Sequence, residues 1–159
     1  ILINDPDFDG AQPALFKGKT MTYYGRWTYK YEEAMRQGAA GALIVHETAP
    51  AAYGWDVVRN SYTGPQLDAA TPDDNAKRAA IEGWVQLPVA RRIFELAGQD
   101  FDALHAAARA RGFKPVSLGA RASVNVRNVI RRATSANVMG VLPGSKRPDE
   151  YVIYMAHWD

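Results

Sequence analysis

The chain has 159 residues, 47% of them hydrophobic and 23% charged, with 19 basic against 17 acidic side chains and a net charge of +2. Such a length suits one domain, or a small domain plus part of another, and the composition is neither that of a disordered chain nor that of a membrane protein. The charge balance argues against nucleic-acid binding, which usually needs a concentrated basic face, and the absence of cysteine excludes disulfides and thiolate metal sites.

Ile1-Leu2-Ile3-Asn4 reads as a short buried strand ended by the turn formers Asp5-Pro6-Asp7. A loop rich in Gly, Lys and Tyr follows. Thr28 is placed to cap a helix over 29–37, whose apolar stripe is Tyr31, Ala34 and Met35, with Gly38 as its C′ residue. Ala42-Leu43-Ile44-Val45 is a second buried strand, so the order strand, helix, strand predicts a parallel βαβ unit. Residues 47–80, with Pro50, Gly54, Gly64, Pro65 and Pro72, read as one long loop. Its aromatics Tyr53, Trp55 and Tyr62 favour an ordered one. Trp55 and Tyr62 are candidate substrate-binding residues, because binding residues concentrate on loops.

Residues 81–87 read as a strand, and Pro88 starts a helix to Ala97 that Gly98 closes. Asp100 caps a further helix over 101–111, with Gly112 after it. Beyond Pro115 the pattern changes. Ala120, Ala122, Val124 and Val126 alternate with Arg121, Ser123, Asn125 and Arg127, the period of a half-buried strand. Strands at 137–142 and 151–156 are expected to pair antiparallel across Pro143-Gly144, with a domain boundary near 117–120. No apolar run has the ~20 residues of a membrane helix, and no signal peptide is visible. The chain starts at Ile1 without a methionine and stops inside a motif, which reads as an internal fragment of a longer protein.

Three motifs have ordinary explanations. Lys17-Gly18-Lys19-Thr20 lacks the first glycine of a phosphate loop, since Pro13 stands there. The helix pair 88–97 and 101–111 could imitate a DNA-binding pair through Arg91, Arg92, Arg109 and Arg111, but Glu95, Asp100 and Asp102 oppose it. His46, at a strand end, and His105, in an Ala-rich helix, have no partner at ligand spacing and read as structural or surface residues.

The strongest chemical signal is His157-Trp158-Asp159 after the apolar run Tyr151 to Ala156. Side chains two apart on extended chain point the same way. Asp159 can therefore accept one ring N–H of His157 and leave the other nitrogen for a metal.

The segment Asn137-Val-Met-Gly-Val-Leu-Pro-Gly144, then Pro148-Asp149-Glu150 and the run into His157-Trp158-Asp159, resembles the start of the catalytic domain of M28-family zinc peptidases. Residues 29–34, 38–42 and the strand to His46 resemble a protease-associated (PA) domain, and Asn60 to Gln66 looks like a segment of bacterial members. The resemblance implies a fold class of α/β (α+β). A PA-type β/α domain would span 1–117, and residues 118–159 would supply the first antiparallel strands of a zinc-peptidase sheet. It implies a zinc-dependent exopeptidase, an aminopeptidase with two zinc ions and a peptide substrate, periplasmic or secreted. His157 would be a metal ligand and Asp159 the residue that orients it. The general base and remaining ligands would lie beyond Asp159, leaving the fragment itself inactive. The rival expectation is a non-catalytic PA-type binding or lid module for peptides or proteins.

Overall fold

A computed structural model describes residues 1–4, 20–74 and 78–157. The turn at Asp5-Pro6-Asp7, the Lys17-Gly18-Lys19 motif and Asp159 lie outside the described residues. The chain separates into two units, one over Ile1–Arg121 and one from Ala122 onward.

The first unit is α/β. Strands β1 (Leu2–Ile3), β2 (Gly41–His46) and β3 (Ile81–Gln86) form a parallel sheet in the order β1-β2-β3. Ile3 pairs with Val45, and Val45 in turn with Val85. Helix α1 (Trp27–Arg36) connects β1 to β2, giving the expected parallel βαβ unit. Helices α2 (Thr48–Ala51) and α3 (Trp55–Ser61) lie between β2 and β3, and α4 (Leu87–Leu96) and α5 (Phe101–Ala108) follow β3.

Two apolar clusters cover opposite faces of the sheet, because successive strand residues face opposite ways. Val45 and Val85 pack with Ala90 of α4 and Phe101 of α5, joined by Leu43, Leu87, Ile93 and Phe94. Ala42 and Ile44 pack with Tyr31 and Ala34 of α1 and with Trp84. Tyr31 also donates a 2.7 Å hydrogen bond from its hydroxyl to the carbonyl of Gly83, tying α1 to β3.

Local signals set most helix ends. Gly38 and Gly98 follow α1 and α4 at φ +78° and +68°, a conformation that costs glycine nothing. The Asp100 carboxylate accepts from the Ala103 amide at 3.0 Å and caps α5. Thr28 does not cap α1. The helix begins at Trp27, two residues ahead of the expected 29, and its N-cap Arg26 makes no side-chain cap bond. Helix α5 ends at Ala108, short of the expected 111.

The expectation of one long ordered loop over 47–80 is corrected by α2 and α3. Pro50 lies in the first turn of α2, where its missing N–H is harmless. Val57 and Val58 have modest helix propensity, but Val58 is buried in α3 and its packing outweighs that propensity.

The second unit departs from expectation. None of its described residues is in a strand ladder, so strands 120–127, 137–142 and 151–156 are not formed. A turn does form after Pro143-Gly144, where the Glu150 amide donates to the Arg147 carbonyl at 3.2 Å and Arg147 pairs with Glu150 at 2.8 Å. The flanking segments stay exposed, Leu142 at 95% and Tyr154 at 92%. The physical reason is that two strands alone bury too little apolar surface to hold a hairpin together in water.

Candidate functional site

His46 is the last residue of β2, and its register partner is Gln86, the last of β3. In open parallel sheets the C-terminal strand ends are where ligands bind. Strand alternation sends His46 to the same face as Ala42 and Ile44, toward α1 and Trp84. There it is 4% exposed, enclosed by three aromatic rings. Tyr53 stacks on it at 5.6 Å and 25°, and Trp55 and Trp84 approach to 5.7 and 6.1 Å.

Among the described residues neither Nδ1 nor Nε2 of His46 has a hydrogen-bond partner, and the same holds for Nε1 of Trp84. Each buried polar group left in that state costs about 1–3 kcal/mol. Burial holds the His46 pKa below its ordinary value. The Tyr53 backbone, close by but outside hydrogen-bonding geometry, and the Glu47 carboxylate oppose that shift. The imidazole is therefore neutral at pH 7, with one N–H donor and one acceptor nitrogen.

Beside this cluster lies a recess of about 400 Å³, walled by the rings of Trp27, Tyr53, Tyr62 and Trp84 and by Val57, Val58, Ser61 and Gln66. Trp27 meets Tyr62 edge to face at 6.4 Å and 74°, and lies tilted to Trp84 at 6.0 Å and 59°. Among the described residues no carboxylate, ammonium or guanidinium borders it. Burial raises the Tyr53 pKa, which keeps that phenol neutral too. The Gln66 Nε2 donates to the carbonyls of Ser61 and Gly64 at 2.9 and 3.0 Å, fixing the turn after α3 at the rim. Ala52, immediately before Tyr53, has φ +63°, a left-handed conformation that costs a non-glycine residue roughly 1–2 kcal/mol.

The two aromatic residues singled out from the sequence take different places. Tyr62 borders the recess, whereas Trp55 packs on His46 behind it. His46 itself was read as structural or surface. The signal for it was its position at the C-terminal end of a parallel strand, just ahead of an aromatic-rich segment. His105 pairs with Glu47 on the other face of the sheet. In the helix pair, Arg91 is engaged by Asp102 at 2.8 Å and Arg92 by Glu95 at 2.7 Å. Ala90 is buried against the sheet, so this pair covers the core.

His157 is exposed in the second unit. Among the described residues no three His, Asp or Glu side chains come together to hold a metal ion. Catalytic zinc uses about three protein ligands, so the described residues do not fit a complete zinc site. Among them, too, no helix is long and apolar enough to cross a membrane. Comparison of the chain with protein-family models, with curated proteins and with solved structures found no match in any of the three.

Proposed function

We propose that the α/β unit is a recognition module that holds a segment of peptide or protein at the C-terminal end of its sheet. The observation that carries this is the recess itself, four rings around about 400 Å³ beside buried polar atoms that lack partners among the described residues. Ligand sites are typically concave, mostly apolar and supplied with a few polar groups. Trp27 and Tyr62 are both partly exposed and border the recess, so they are the residues a partner meets first.

In this reading the module serves a zinc-dependent aminopeptidase, restricting or shaping access to its active site without doing chemistry. Support for that parent activity, for its peptide substrate and for a periplasmic or secreted setting is the sequence resemblance alone. His157 would contribute one imidazole to the metal centre and Asp159 would orient it. No hydrolytic step is assigned to the described residues, because they do not make a metal site.

The test is peptide binding. A mixture of short unstructured peptides is titrated into the chain while tryptophan fluorescence is followed, and the titration is repeated with Trp27→Ala and Tyr62→Ala. Binding that both substitutions weaken supports the module. Absence of binding, or binding indifferent to both, rejects it.

A further inference from the structure

Three features meet at Tyr53. It borders the recess, its ring stacks on His46, and it follows Ala52, which is held at φ +63°. We propose that the recess takes one aromatic side chain of an extended peptide, and that the amide of that residue reaches His46 when Tyr53 swings aside. This rests on the recognition-module reading and names its ligand.

The wall selects for a neutral occupant. A lysine or glutamate side chain would lose its hydration with no counter-charge among the lining residues. The edge-to-face setting of Trp27 against Tyr62 is an arrangement a further ring adopts against such walls. A volume of about 400 Å³ is at the small end of ligand pockets and suits one ring with its amide.

The polar atoms select for the amide. Neutral His46 offers one donor and one acceptor on opposite sides of its ring, and a secondary amide can meet one of them with its carbonyl or its N–H. Trp84 Nε1 offers a donor to a second carbonyl. These nitrogens are closed off from solvent, so a covering ring must move before a ligand meets them. Tyr53 is that ring, and strained backbone of the kind found at Ala52 clusters at ligand clamps and switch regions.

The experiment uses the full ¹⁵N-labelled chain, titrated separately with N-acetyl-phenylalaninamide, N-acetyl-leucinamide, N-acetyl-lysinamide and toluene. The phenylalanine amide is expected to move the Trp84 indole N–H and the His46 ring resonances, and to bind more tightly than the other two amides. Toluene is expected to enter without moving His46. His46→Phe keeps a ring in the stack and removes both nitrogens. It should weaken the phenylalanine amide about tenfold, the loss of roughly one hydrogen bond, and leave toluene unchanged. Ser61→Trp, which fills the recess from its exposed rim, should abolish binding of both and tests the site even if His46→Phe does not fold. Tighter binding of the lysine amide, or phenylalanine-amide binding that ignores His46→Phe or Ser61→Trp, overturns the proposal. Peptides that bind through Trp27 and Tyr62 without competition from the phenylalanine amide would sink this ligand and leave the module standing. Loss of all peptide binding would sink both.

Discussion

His105 and Glu47, 58 residues apart in sequence, meet at 3.0 Å between Nε2 and Oε2, both side chains less than one-fifth exposed. Glu47 directly follows His46. The two neighbours leave the end of β2 in opposite directions, one to the aromatic recess and one to α5. The pair thus fastens α5 to the strand end that positions the candidate site.

Replacing Glu47 by Gln should therefore cost about 1–2 kcal/mol, because the partner of a half-buried group is weakened. Urea unfolding of Glu47→Gln, His105→Gln and the double variant measures the coupling. Additive single effects would mean that the pair contributes nothing of its own.

His46 makes stability depend on pH with a definite sign. Its folded pKa lies below the ordinary 6.5, chiefly because burial disfavours the charged ring. The unfolded chain therefore binds a proton first as pH falls. The stabilisation is full above about 6.5 and is lost as pH drops from there toward the folded pKa. Urea midpoints at pH 7.5 and 5.5 should fall further for the parent chain than for His46→Phe. Equal falls would place the ring in water.

Tyr31 gives the opposite dependence at high pH. Its pKa is raised above the ordinary 10.0, first by burial and then by Tyr62 and Glu82. Above pH 10 the unfolded chain ionises while the folded one resists, so stability is lost as pH rises. Tyr31→Phe should lose about 1 kcal/mol at neutral pH, when Gly83 loses its hydrogen-bond donor, and should decline less between pH 9 and 11. A parallel decline of both proteins would contradict this.

Two backbone positions should respond in opposite directions. Ala52→Gly relieves left-handed strain, offset in part by the greater entropy of unfolded glycine, and should stabilise by about 0.5–1 kcal/mol. Gly98→Ala places a Cβ at φ +68° and should destabilise by about 1 kcal/mol or more. Thermal unfolding of each decides the signs.

The terminal motif carries a further expectation. The 159-residue chain should hydrolyse no aminoacyl chromogenic substrate, even with added zinc, since the described residues supply no three-ligand set. Turnover that survives rigorous purification and vanishes in His157→Ala would reverse that view.

Much of the first unit was legible because its signals are local. The apolar run Ala42 to Val45 is long enough for a buried strand and too short for a helix. Gly38 and Gly98 mark positions where only a residue without Cβ turns the chain freely, and Asp100 carries its own capping carboxylate. Residues 47–80 were misread because Pro50, Gly54 and the adjacent valines all disfavour helix locally. The burial of Val58, which sequence alone does not reveal, outweighs them in α3. The alternation at 120–127 was real as a pattern, but a strand exists only with a partner backbone, and none of the described residues from 122 to 157 finds one in a ladder.

The sequence by itself determined the parallel βαβ core, because hydrophobic period, turn residues and caps act over a few neighbours. Only the tertiary structure decided that Trp27, Tyr53, Tyr62 and Trp84, spread over 58 positions, wall one recess beside His46. It also set Trp55 behind that recess and sent Glu47 to His105. Those meetings depend on strand register and on how α1 and α3 sit over the sheet, and no short stretch of sequence encodes either.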